Sequence, residues 1–161
     1  YDFVKVPNGE IYVLAKELVA SVMKTAGIDS WEVLATVLGS DLELIKTKHP
    51  LFDRDSLVIT GDHVTLDAGT GCVHTAPGFG ADDFIVCQRY NIPIIVPVDG
   101  KGRHTAESGK YEGMFVDDSN EVILKDLRTS RNRGHRAQLS ALLALQKPDH
   151  LPYHRAVVLL C

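Results

Sequence analysis

A mixed α/β fold, with short strands gathered into a barrel or sandwich-like sheet and short helices beside it, is what this sequence predicts. Three observations lead there. Short runs of β-favouring residues recur between Gly, Pro and Asn punctuation. Apolar residues fall at helical spacing after Leu14, and a second short helix follows a glycine-rich loop. Finally, 161 residues that are 45% hydrophobic and 24% charged suit one globular domain with a real core.

Asp2 to Val6 and Glu10 to Leu14 flank Pro7-Asn8-Gly9, which supplies a fixed φ and a residue tolerant of positive φ. That pattern predicts a hairpin. Leu14, Leu18, Val19 and Val22 then recur at helical spacing through Ala15 to Ala26, with Gly27 as the C-terminal cap. Trp31 to Val37, Leu42 to Ile45 and Leu57 to Thr60 read as strands, punctuated by Gly39-Ser40, His49-Pro50 and Gly61-Asp62. Gly71 to Thr75 reads as a further strand, Ala76 to Gly80 as a loop and Ala81 to Tyr90 as a short helix stopped at Asn91. Ile92 to Val98 has strand length, although Pro93 and Pro97 imply an edge or a bend. Tyr111 to Val116 reads as one more strand, and Ser119 as the start of a short helix bearing Val122, Ile123 and Leu127.

Composition excludes several classes. There is no apolar run of about eighteen residues, so no membrane partner is expected. The first residues lack a signal-peptide layout, which predicts a cytoplasmic protein, and Tyr1 in place of methionine predicts an internal position of a longer chain. Cys72, Cys87 and Cys161 have no CxxC spacing and read as buried thiols, not a disulfide framework or metal site. Charge is uneven: residues 1–124 hold 10 Lys and Arg against 19 Asp and Glu, whereas 125–161 hold 7 against 2. An acidic body argues against a long groove for duplex nucleic acid and leaves room for a few contacts to one nucleic-acid end.

Chemistry concentrates between Gly69 and Asp83. Glycines allow close backbone approach to a ligand, and a strand-loop-helix passage exposes N–H groups at the helix start. His74 would stand near the loop, and Asp83 in the first helical turn, where the dipole stabilises a carboxylate. The structural alternatives are a hydrogen-bonded strand histidine and an aspartate serving as a cap. A dinucleotide fingerprint fails, because His74 occupies the place of its third glycine. Of the seven histidines only His150 and His154 have a metal-ligand spacing, so no metal site is expected.

The string GTGCVHTAPGFGADDF, Gly69 to Phe84, resembles the signature of the editing domain inserted into the isoleucine branch of the class I aminoacyl-tRNA synthetases. Lys48-His49-Pro50, Pro97-Val98-Asp99-Gly100 and Tyr111-Glu112-Gly113 agree with it, and the likeness covers residues 1–127. His74 favours the isoleucine branch, since the valine relatives resemble a pattern with Lys there. Phe79 departs from the more usual histidine. The resemblance implies an α/β fold with a barrel-like sheet core, and hydrolysis of the ester joining a wrong amino acid, chiefly valine, to the isoleucine tRNA. It implies that Asp83 holds the α-ammonium group and that His74 excludes the cognate isoleucyl group. Gly71, Val73, Thr75, Ala76 and Phe79 would line the amino-acid pocket. No cofactor is expected; the partners are the 3′ end of aminoacylated tRNA and the remainder of the synthetase.

Two departures shape the expectations. The family pattern includes a threonine-rich peptide of the type Thr-Thr-Pro-Trp-Thr just before the position matching Tyr1, so residues 1–127 are expected to form a partial editing domain. One alternative is therefore a catalytically incomplete piece that only binds the aminoacylated tRNA end. Residues 128–161 do not resemble the family continuation and are expected to form a poorly packed basic tail. No His-x-Gly-His or Lys-Met-Ser-Lys-Ser motif occurs, so amino-acid activation is not expected of this sequence.

Overall fold

A computed structural model describes residues 1–132 and 156–160. The helix expected over Ala137 to Leu145 and the His150/His154 pair lie outside the described residues. Two units can be distinguished, residues 1–75 with a strand at 156–160, and residues 76–132.

In the first unit β1 (Asp2–Lys5) and β2 (Ile11–Leu14) form the expected hairpin, with Phe3 opposite Val13. The Gly9 N–H donates to Val6 O at 2.8 Å with Gly9 at φ +83°, and Asn8 Oδ1 accepts the Glu10 N–H at 2.9 Å. The turn thus places glycine where a Cβ would be strained. β3 (Glu32–Thr36) pairs with the other side of β1. A two-residue period then gives β1 two buried faces. Val4 and Val6 meet Leu14, Val19 and Met23, the last two from helix α1 (Val19–Thr25), while Phe3 and Val13 pack on Leu42, Val58 and Cys72. α1 follows a 3-10 turn over Lys16–Leu18. It ends as expected at Gly27: Ile28 N–H donates to Met23 O at 2.9 Å and Gly27 N–H to Lys24 O at 3.2 Å, with Gly27 at φ +66°.

A second sheet contains β4 (Lys46–Lys48), β5 (Asp55–Gly61), β6 (Cys72–Thr75) and β7 (Ala156–Leu160) in the order β4-β5-β7-β6. β7 runs antiparallel to β5 and parallel to β6. The α/β character agrees with the sequence, but the barrel-like core does not form among the described residues. Two open sheets of three and four strands take its place. No ladder joins them; β2 and β3 end one sheet, β4 and β6 the other, and single bonds such as Ala15 N–H to Thr70 O at 2.8 Å span the gap. The strand expected over Leu42 to Ile45 is also corrected. Gly39–Leu42 is a 3-10 turn and Leu44 sits at φ +65°, so the regular ladder begins only at Lys46, although Leu44 N–H donates to Val58 O at 2.8 Å and Val58 N–H to Ile45 O at 2.9 Å.

In the second unit α2 (Ala81–Arg89) follows the Ala76 to Gly80 loop and stops as expected at Asn91, which takes φ +53°. Ile92 N–H donates to Cys87 O at 3.0 Å and Asn91 N–H to Gln88 O at 3.2 Å, the same closing pattern as in α1. Ile92 to Val98 forms no strand beyond an isolated Val98 to His104 bridge. Pro93 and Pro97 have no N–H to give a ladder, which outweighs the apolar run. Tyr111 to Val116 is not a strand either: Ala106–Tyr111 is 3-10, and Gly113 takes φ +80°. Helix α3 (Val116–Asn132) begins before Ser119 and is longer than expected. Ser119 is no cap; its buried hydroxyl lies 2.8 Å from Val116 O and 2.8 Å from His104 Nε2, while His104 Nδ1 lies 2.9 Å from Ser108 Oγ. One imidazole therefore links α3, the 3-10 turn and its own bridge strand.

Candidate active site

The residues singled out between Gly69 and Asp83 fall in both units, with the division after Thr75. Each group is held by different physics.

In the first unit the approach to β6 is fixed sterically. Gly71 takes φ +73°, and a Cβ there would lie 2.4 Å from the Ala15 Cβ. Both the angle and the space demand glycine. Tyr1 Oη donates to Gly71 O at 2.7 Å, and Thr70 Oγ1 donates to Cys72 O at 3.0 Å. Along β6, Cys72 and Thr75 are buried, Val73 is half-buried and His74 is exposed. Thr75 is fully inaccessible, and its hydroxyl has no hydrogen-bond partner among the described residues. That is an unusual state for a buried polar group.

In the second unit the loop is tied to the helix it precedes. Asp83, in the first turn of α2, accepts the Ala76 N–H on Oδ2 at 2.9 Å, and Phe79 N–H donates to Ala76 O at 2.9 Å. The capping alternative is therefore realised: one carboxylate oxygen fixes the loop. A carboxylate has about four acceptor positions, so this bond does not exhaust it. Gly78 and Gly80 leave room, since a Cβ at Gly78 would sit 2.8 Å from Val96 Cγ2 and one at Gly80 3.2 Å from Asp83 Cγ. Phe79 is 61% exposed, an apolar ring presented to solvent beside half-buried Ala76.

The thiols are unsuited to nucleophilic work. Burial pushes Cys72 up to about 12, and burial together with the Asp83 charge pushes Cys87 up to about 11. Among the described residues no group of three or more His, Cys, Asp and Glu side chains could hold a metal ion.

His49 is a buried, titratable side chain outside the Gly69 to Asp83 stretch. It is 8% exposed, and its Nδ1 accepts the N–H groups of Leu51 and Phe52, each at 3.1 Å. Backbone N–H groups only donate, so Nδ1 is unprotonated and the ring proton sits on Nε2. Burial, then the charges of Arg54 and His74, lower its pKa to about 4. The signal in the sequence is the His49-Pro50 dipeptide.

No family model matches the chain. It is, however, similar to a segment of several bacterial isoleucine-tRNA ligases. That of Caldicellulosiruptor saccharolyticus is 59% identical over 130 residues, which are 81% of this chain and 14% of the relative. That of Caldicellulosiruptor bescii is 54% identical over 150 residues, 93% of this chain and 15% of the relative. For Geobacillus thermodenitrificans the figures are 52% over 120 residues, 74% and 13%. The chain thus spans only about 14% of the length of the curated relatives it matches.

Proposed function

The chain is homologous to one segment of the isoleucine-tRNA ligases, and from that kinship we propose that it is the editing part of such an enzyme, hydrolysing valine from mischarged isoleucine tRNA. The need for such a site is physical. A pocket that accepts isoleucine gains only about 1 to 3 kcal/mol against a ligand lacking one methylene, and isoleucine against valine is the standard illustration of that limit. A second site that removes the smaller product supplies the missing discrimination.

The observation that carries the reading is the Asp83 carboxylate in the first turn of α2, oriented by the Ala76 N–H at 2.9 Å. A carboxylate oriented by one N–H and retaining acceptor capacity suits an α-ammonium group, and an ion pair there fixes the ester relative to attacking water. Water adds to the ester carbonyl, the carbon–oxygen bond to the ribose breaks, and the ribose oxygen leaves as a hydroxyl. In this reading Gly71, Val73, Thr75, Ala76 and Phe79 line a pocket too small for isoleucine, with His74 as the excluding side chain. The 3′ end of the aminoacylated tRNA and the rest of the ligase are the partners.

The test is Asp83→Ala in the full-length ligase. Deacylation of valyl-tRNA is expected to fall by about 30-fold or more, the worth of a charge-assisted contact, while isoleucine charging persists. Unchanged deacylation refutes the reading. A chain that binds the aminoacylated end but does not hydrolyse it supports the alternative of a binding piece.

A further inference from the structure

We propose that the His49 to Arg54 loop joining β4 and β5 is an anion seat that takes a phosphate oxygen of the nucleotide chain carrying the aminoacyl ester. The identity of that ligand rests on the editing reading; the seat itself does not. Its frame is the loop closure, in which His49 N–H donates to Arg54 O at 3.0 Å and Arg54 N–H to Phe52 O at 2.8 Å. Within this closed loop two donors remain unspent. The first is the His49 Nε2–H, whose tautomer is imposed by the Leu51 and Phe52 amides on Nδ1. Nε2 has no acceptor among the described residues, and the residue keeps 8% of its surface exposed.

The second donor is the Arg54 guanidinium. It lies 6.0 Å from the centre of the Phe52 ring and makes no hydrogen bond or ion pair among the described residues. The adjacent carboxylate of Asp55 is already engaged, by Lys48 at 2.7 Å and more distantly by Lys46 at 3.9 Å. A half-buried cation in the same loop as a neutral N–H donor, with the Asp55 carboxylate occupied, is chemistry for an anion with several acceptor oxygens. Burial, then the Arg54 and His74 charges, hold the His49 ring neutral, so it meets an anion as an N–H donor, while the Asp53 carboxylate of the same loop is exposed.

Topology puts the seat at a meaningful place. Val58 and His74 both stand level with Leu159, and β6 runs parallel to β7 while β5 runs against it. The Asp55 end of β5 therefore lies at the same end of the sheet as His74 and Thr75.

The experiment has two arms. In the first, inorganic phosphate is titrated into the chain while the His49 imidazole 15N and 1H resonances are followed. The Nε2 signal is expected to move, and Arg54→Ala to weaken the response. In the second, a hydrolysis-resistant 3′-valylamido adenosine is compared with its 5′-phosphate. The phosphate is expected to tighten binding about tenfold, as one charge-assisted contact would. His49→Asn keeps an acceptor for the loop amides but deletes the Nε2–H, and Arg54→Ala deletes the cation; each is expected to remove most of that gain. A resonance that stays still under phosphate overturns the seat, as does binding of the adenosine ligand to which the phosphate adds no gain or a gain that survives both substitutions. A moving resonance with no binding of either adenosine ligand supports the seat and overturns the editing reading.

Discussion

The two halves of the glycine-rich stretch are built in opposite ways. Gly71 to Thr75 is held by exclusion: a Cβ at Gly71 has no space, and β6 is laddered to β7. Ala76 to Asp83 is held by attraction, through one N–H to carboxylate bond and the start of a helix. Steric exclusion fails steeply when a single methyl is added, whereas an exposed or half-exposed polar bond fails by about 1 kcal/mol. The first half should therefore register mutations chiefly as lost fold, and the second chiefly as lost chemistry.

Gly71→Ala is the sharpest way to break that comparison. The left-handed backbone costs an alanine about 1 to 2 kcal/mol, and forcing its methyl against Ala15 adds about 1 to 3 more. A loss of roughly 3 kcal/mol is expected in urea unfolding of the chain. Adding Ala15→Gly should return the steric part and leave the backbone part, so a double-mutant cycle separates the two. A Gly71→Ala chain of unchanged stability would contradict the exclusion account.

Next in size is the acid sensitivity set by His49. Unfolded, its imidazole takes a proton near 6.5; folded, it does so only near about 4, because of burial and then the charges of Arg54 and His74. Between those values the unfolded chain holds more protons, so stability is full above about 6.5 and is lost as pH falls toward 4. The window corresponds to about 3 kcal/mol at its limit. Unfolding measured at pH 7 and pH 4.5 should show this loss in the wild type, and His49→Asn should shrink it. An equal pH slope in both chains would mean that other groups carry the effect.

What was legible in the sequence was local. Both helix stops needed only a residue tolerant of positive φ, and Gly27 and Asn91 supply it at φ +66° and +53°. The hairpin needed only Pro7-Asn8-Gly9 between alternating residues. Three strands were misread for a shared reason: apolar character over several residues is common to strands and to irregular segments lying on a core. Ile92 to Val98 lacks the donors for a ladder at its prolines, Tyr111 turns inward to place its hydroxyl 2.8 Å from Asp126 Oδ2, and Leu44 turns left-handed. The barrel rested on the run of short strands as well as on family likeness, and strand spacing alone does not decide whether sheets close. The place of Asp83 in the first helical turn was legible because it is a sequence property. The tautomer of His49 was not, because it depends on which two amides its own loop turns toward the ring.

The smallest effect comes from Thr75 on β6, whose hydroxyl is fully buried and unpartnered among the described residues. If no ligand uses that hydroxyl, Thr75→Val replaces it with a methyl of similar shape and removes an unsatisfied polar atom. The chain should then be more stable by about 1 kcal/mol, which thermal or urea unfolding would detect. The same substitution in the full-length ligase probes the chemistry. A stabilised variant with unaltered deacylation makes Thr75 a packing residue of the excluded half. A stabilised variant with weakened deacylation means that the hydroxyl is left unpaired for a substrate to satisfy, and extends the chemistry of the stretch from Asp83 back onto β6.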